Sequence, residues 1–401
     1  MLYTSADVAL AYTPKSTKNK GLHANPDASI IQEDAWALWA ENNTKWVPGK
    51  LLAKVVKAAK TLGSDEEKAD YVYNYMVMNT LIFKRPYEDA YTFSTLFTSM
   101  LDRLKVSYTR GLTTNSYLEP FDKLINYSDA TRFIMLKNGK CYFPLGFAVS
   151  ANIIPSPYQN RDAVSTNHPK KFQKGPFNAF KIASSNASDN AENVTINASI
   201  DGTMLNIARQ NVVTGGEKEG VISDLTTAEE LTKAWGAAYD IKTFADLFAF
   251  KKGEAEAKAA ERAEYDKKNV AETFAEEIKG YHAKTPVKIN QTKVTSFGEN
   301  NTPFTYTTDY QIDGLVKKAG KNLVVSVGQL VGPQKHIEGK ERERDADIVY
   351  NYPSTYTVTL TLDIPQGYSV AAESLQKLTN HIDNEAVGFE SKAETSYGKL
   401  V

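Results

Sequence analysis

Glu88-Asp89-Ala90-Tyr91-Thr92-Phe93-Ser94-Thr95-Leu96-Phe97-Thr98-Ser99-Met100-Leu101-Asp102-Arg103-Leu104 is the stretch that decides how this chain reads. Phe93, Leu96, Phe97, Met100, Leu101 and Leu104 fall at i, i+3, i+4, i+7 spacing, so the segment predicts a helix from about Ala90 to Leu104 with one buried face. The residue that opens the helix is Ala90, a side chain with no chemistry of its own.

Working outward, a polar lead-in of 1–29 ends at the turn signal Asn25-Pro26-Asp27. A first helix carries Trp36, Leu38 and Trp39, and a second begins at Gly49-Lys50-Leu51-Leu52. A third starts at Ser64, with Glu67 three residues on in a capping-box arrangement, and runs to about Met78 before Leu81-Ile82-Phe83. After the Ala90 helix, Val106–Arg110 reads as a strand. Phe133–Phe143 reads as a hairpin, because Asn138-Gly139 tolerates the positive φ of a tight turn. Ile153-Ile154-Pro155 then leads into a polar stretch around Asn167-His168-Pro169, and a domain boundary is expected at 165–175.

Beyond it, period-two alternation recurs at Val194–Ile200, Thr203–Ile207, Val287–Phe297, Phe304–Ile312, Leu323–Val331, Asp347–Tyr352 and Tyr356–Ile364. That pattern predicts an antiparallel β-sandwich over 175–401, interrupted by a helical excursion at about 226–282. The stripe Val270, Phe274, Ile278 makes the second half of the excursion a surface helix lying on the sandwich. Ser396-Tyr397-Gly398-Lys399 reads as a turn and the first residues of a strand that then stops, so a chain trimmed at its C-terminus is expected.

A chain of 401 residues, 42% hydrophobic and 24% charged, suits a globular protein of two or three domains. A formal net charge of −1 leaves no electrostatic footprint for nucleic acid. No apolar run approaches the ~20 residues that span a bilayer, and the first residues lack the basic start and apolar block of a signal peptide. A single cysteine, Cys141, excludes an internal disulfide framework. The five histidines (His23, His168, His282, His336 and His381) include no pair at metal-ligand spacing. No Gly-rich phosphate loop or Gly-x-Ser-x-Gly is present, and carboxylate pairs such as Asp65/Glu66 and Glu276/Glu277 lie on helices expected to be solvated, which gives glycosidase geometry no support.

The order of helices, strand and hairpin resembles the transglutaminase-like (papain-like cysteine-proteinase) core, expected here over 30–165 in an α+β chain. The later segments Arg342–Asp345, Tyr350-Asn351-Tyr352-Pro353 and Asp363-Ile364-Pro365-Gln366-Gly367-Tyr368 resemble the β-domain that follows this core in a bacterial family common in Bacteroidota. The resemblance spans about 30–401. It implies a periplasmic or cell-surface protein, with an export signal and an N-terminal β-domain outside the present chain.

The resemblance also implies a site: a cysteine at a helix start, a histidine opening a strand and an aspartate on the returning strand. Glu88-Asp89-Ala90 stands where Gly-Asp-Cys would stand, Asp129-Ala130 where histidine is expected, and Pro144-Leu145-Gly146 where aspartate is expected. No histidine lies between His23 and His168. All three roles are therefore expected to be vacant, at Ala90, Asp129/Ala130 and Leu145, beside a shallow cleft near Tyr87, Tyr91 and Asp129. The implied protein is a pseudoenzyme without cofactor, a binding or structural module for a peptide, peptidoglycan or glycan ligand. Two alternatives stand beside it: a thiol hydrolase or transferase using Cys141, which otherwise reads as a half-buried structural residue of the hairpin, and a cell-surface adhesion or assembly protein.

Overall fold

The structure is a computed structural model that describes residues 50–83, 90–124, 129–147, 150–166, 178–247, 253–332, 339, 343, 350–385 and 387–401. The expected helix around Trp36–Trp39 and the segments at 167–171 and 344–349 lie outside the described residues.

Among the described residues three helices come first: α1 (Lys50–Ala59), α2 (Asp65–Phe83) and α3 (Ala90–Leu104). The capping box forms as read, with Ser64 N donating to Glu67 Oε2 at 2.8 Å and Glu67 N donating to Ser64 Oγ at 3.1 Å. Helix α2 continues past Met78 to Phe83, and every residue from 72 to 82 is buried. A helix enclosed on all sides must satisfy its polar side chains internally. Asn79 Nδ2 and Thr80 Oγ1 donate back to the carbonyls of Tyr75 and Met76, and Asn74 Nδ2 reaches Asn300 Oδ1 at 2.7 Å. All six apolar positions read for α3 are buried.

These helices pack on an antiparallel sheet of order β3-β2-β1-β4-β5, formed by β1 (Tyr108–Thr113), β2 (Thr131–Leu136), β3 (Cys141–Tyr142), β4 (Asp162–Thr166) and β5 (Asn178–Lys181). The β2–β3 turn places Gly139 at φ +88°, the conformation that made Asn-Gly informative. Strand β5 lies beyond the expected boundary yet pairs with β4, Ala179 opposite Val164. The first sheet therefore extends to Lys181, past the boundary expected at 165–175.

The larger sheet has the order β15-β16-β12-β6-β7-β9-β8. Its long strands are β6 (Ala191–Asp201), β7 (Met204–Val213), β8 (Lys288–Phe297), β9 (Phe304–Ile312) and β12 (Thr355–Asp363), edged by the short hairpin β15 (Thr395–Ser396) and β16 (Lys399–Leu400). The sandwich is corrected here. Among the described residues the long strands form one seven-stranded sheet, and one of its pairs, β12 with β6, is parallel. One face carries alternating buried residues such as Val194, Ile196, Leu205, Ile207, Tyr310 and Leu362. Helix α6 (Glu254–His282), the two-stranded β10 (Val316–Ala319) and β11 (Asn322–Val325), and α7 (Val327–Val331) contribute Ile278, Val316 and Leu330 to that core. The expected strand Leu323–Val331 is thus half strand and half helix. The opposite face presents Asn193, Thr195, Asn197, Thr357 and Thr359, all exposed.

The helical excursion divides into α4 (Val221–Leu225), α5 (Ala228–Trp235) and α6. It packs on the first helices as well as on the large sheet. Arg262 and Asp266 of α6 form a 2.6 Å ion pair that ends two helices at once. Arg262 Nη2 donates to Ile82 O at the end of α2 (3.0 Å), and Asp266 Oδ2 accepts from Ala228 N at the start of α5 (2.7 Å). Each charge sits at the helix end whose dipole favours it. Between β12 and the edge hairpin β15–β16 lie α8 (Ala372–Leu378) and the exposed hairpin β13 (Asn380–Asp383) and β14 (Gly388–Ser391). Among the described residues no helix is long and apolar enough to cross a membrane.

Candidate functional site

Ala90 is the first residue of α3 as the structure describes it. Below it the helix presents Phe93 and Phe97, whose rings meet Tyr73 of α2 at 6.0 and 5.8 Å between centroids. Phe97 also meets Tyr142 of β3 at 5.1 Å. The helix and the returning strand of the hairpin are therefore joined by an aromatic cluster. Leu145 follows β3 and is 1% exposed in this core, and Ala130, just before β2, packs against the same core. Asp129 is half-buried, and burial raises its carboxyl pKa above the usual carboxylate range. Tyr87 lies outside the described residues, and Tyr91 occupies the second position of α3.

The thiol and the two described histidines, His282 and His381, sit apart from this cluster. Cys141 Sγ donates to Gly139 O at 3.4 Å within its own hairpin, and burial pushes the thiol up to about 12, opposite to what a thiolate nucleophile requires. His282, the last residue of α6, is 1% exposed. Its Nδ1 contacts Gln329 O at 2.7 Å and its Nε2 contacts Tyr310 Oη at 2.6 Å, so both ring nitrogens are engaged; burial lowers its pKa. His381 lies on exposed β13, while His23, His168 and His336 are outside the described residues. Among the described residues no group of three or more His, Cys, Asp or Glu is placed to hold a metal.

His282 belongs to a buried polar cluster between α6 and the large sheet that the sequence did not announce. Arg209 of β7, 2% exposed, stacks its guanidinium 3.6 Å from the Tyr281 ring centre. It donates through Nε to Asn211 Oδ1 and through Nη2 to Tyr356 Oη, both at 3.1 Å, while Nη1 has no partner among the described residues. Tyr281 and Tyr306 both donate to Glu277 Oε1, and burial raises the pKa of that carboxyl. The signal was present in β7, where Arg209 and Asn211 occupy inward positions of an alternating strand. A buried charge must be paired or caged, and here α6 supplies the cage.

A second missed group is Lys218. Its Nζ is buried and donates to the carbonyls of Gly298, Asn300 and Thr302 at 2.9, 2.8 and 3.1 Å, bracing the β8–β9 turn. Beside it, Glu219 is pushed up to about 7 by burial, its Oε2 3.5 Å from Tyr352 Oη.

Compared with protein-family models, curated proteins and solved structures, the chain matches none.

Proposed function

We propose that this chain is a non-catalytic protein on a transglutaminase-like scaffold, exported to the periplasm or cell surface, that works as a binding or structural module for a peptide, peptidoglycan or glycan ligand. The observation that carries the reading is the state of the one thiol. Cys141 lies in a hairpin, hydrogen-bonded to Gly139 O, with its pKa raised to about 12, while the helix-start position is Ala90. Acyl transfer by a thiol needs a nucleophile, a base and an orienting carboxylate that act as a unit, and oxyanion stabilisation alone falls short by several orders of magnitude. Ala90 and Ala130 offer neither nucleophile nor base, and Leu145 fills the apolar core where a carboxylate would stand.

Amine incorporation into a glutamine peptide tests this. Wild type and Cys141→Ala are expected to show equal, background incorporation. Wild-type turnover that Cys141→Ala abolishes would establish the thiol enzyme instead. Ala90→Cys alone should stay inactive for want of a base; Ala90→Cys/Ala130→His/Leu145→Asp asks whether the scaffold still aligns three groups.

A further inference from the structure

The open face of the large sheet is built of groups that donate and accept hydrogen bonds at once. Its rows cross the strands in register: Thr359, Thr195, Gln210 and Thr307 in one, and Thr361, Asn197, Ala208 and Asp309 in the next. Strands are ~4.8 Å apart and alternate residues ~6.8 Å apart, so the face is a regular lattice of hydroxyls and amides. Ala208 is the smallest side chain in its row, and a groove of ≈ 240 Å³ opens over it. Asn197, Ser199, Asn206 and Asp309 line the groove, and the Lys399–Asp363 pair, at 3.5 Å, lies on its edge.

Two features make this more than a flat wet surface. A register irregularity in β8 between Ile289 and Gln291 leaves Asn290 unpaired with β9, and Asn290 lines the groove. A bulge is a device that re-aims a side chain. In addition, the side chains of Asn197, Ser199, Asn290, Asp309 and Thr361 make no hydrogen bond within the described residues, so their groups face the groove unspent.

We propose that this groove binds an extended, neutral oligosaccharide, a deepening that rests on reading the chain as a binding module. Charge decides among ligands. Asp309, Asp363 and Lys399 sum to one negative charge, which opposes an anionic polymer, and no arginine for phosphate or carboxylate is among the described residues that line the groove. A peptide strand would seek unpaired backbone, and β6, β7 and β9 are paired on both sides. Amides and hydroxyls each offer donor and acceptor, the complement of a sugar's hydroxyls. The rows continue beyond the notch toward β12 and toward β8, so a chain of several rings keeps its hydrogen bonds along the sheet.

The test is calorimetric titration and saturation-transfer NMR with three neutral hexasaccharides: cellohexaose, laminarihexaose and mannohexaose. Wild type should bind at least one. Ala208→Trp fills the notch from an exposed position and leaves the buried face intact; it should fold, by circular dichroism, and lose binding. Asn197→Ala/Asn206→Ala should weaken affinity about tenfold, and Lys258→Ala on α6 should match wild type. Binding retained by folded Ala208→Trp, or no binding of any probe by wild type at millimolar sugar, overturns the groove. So does a wild-type dimer, by light scattering, that Ala208→Trp makes monomeric, since the face would then be covered by a second copy. The acyl-transfer assay is independent of all these outcomes: failure of the groove leaves the non-catalytic reading standing, and turnover removes that reading whether or not sugar binds.

Discussion

Glu219→Gln should change how the stability of this protein depends on pH. Glu219 follows Lys218 in the turn after β7, partly buried, with the Glu217 carboxylate nearby and the Tyr352 hydroxyl 3.5 Å away. Lys218 does not neutralise it, because that ammonium is turned onto three carbonyls of the β8–β9 loop. Burial, helped by Glu217, raises the carboxyl from 4.5 to about 7. Between those values the folded chain holds a proton that the unfolded chain has released. Stability therefore falls as pH rises from about 4.5 to 7, with no penalty below that window and the full penalty above it. A shift of this size has a ceiling of about 3 kcal/mol. Access of water to the side chain reduces the expected effect to about 1–2 kcal/mol. Glutamine keeps the shape without the charge, so Glu219→Gln should match wild type near pH 4.5 and exceed it by that amount at pH 8. Urea unfolding midpoints across the range measure the difference, and subtracting wild type from variant cancels groups such as Glu277 and Glu299 that titrate in both. Parallel midpoint curves for the two proteins would refute the reasoning.

Gly111 faces Phe133 across the β1–β2 pair, and a Cβ there would lie 2.0 Å from Phe133 Cζ, an outright clash. Gly111→Ala should cost about 1–3 kcal/mol by thermal or chemical unfolding; an unchanged midpoint would mean the ring is free to move. Lys218→Met strips the Gly298, Asn300 and Thr302 carbonyls of their donor and should cost about 2–3 kcal/mol, with faster amide exchange concentrated in residues 298–303. Loss spread evenly over the chain would contradict the bracing role. Cys141 should react with a disulfide reagent at pH 8 orders of magnitude more slowly in the folded protein than in urea; equal rates would show a thiolate that burial does not suppress. Asp266→Asn removes the negative charge from the start of α5 and from Arg262, and should cost about 3 kcal/mol, whereas an effect under about 0.5 kcal/mol would place the pair among weak surface bridges.

Local pattern determined a great deal here. The inward face of α3, the Ser64–Glu67 cap, the Asn138-Gly139 turn and the alternation of β6, β9 and β12 each depend on the period or chemistry of neighbours in the chain, and each was legible. The vacancy proposed at Ala90, Asp129/Ala130 and Leu145 is a reading of residue identities set against the core that the element order resembles. What covers a buried face was not legible. Alternation tells which side of a strand is dry, but a sheet, a helix or a hairpin can equally make it so, and the expected sandwich became one sheet under α6, α7 and β10–β11. Strand direction was equally hidden, because parallel β12 and antiparallel β9 show the same period. The polar clusters were decided by tertiary contact alone. Arg209 is tolerable in a core only because Tyr281, Tyr356 and Asn211 enclose it, and Lys218 only because three carbonyls from residues 80 or more positions away converge on it. Desolvation of a charge is settled by partners distant in sequence, and local periodicity carries no record of them.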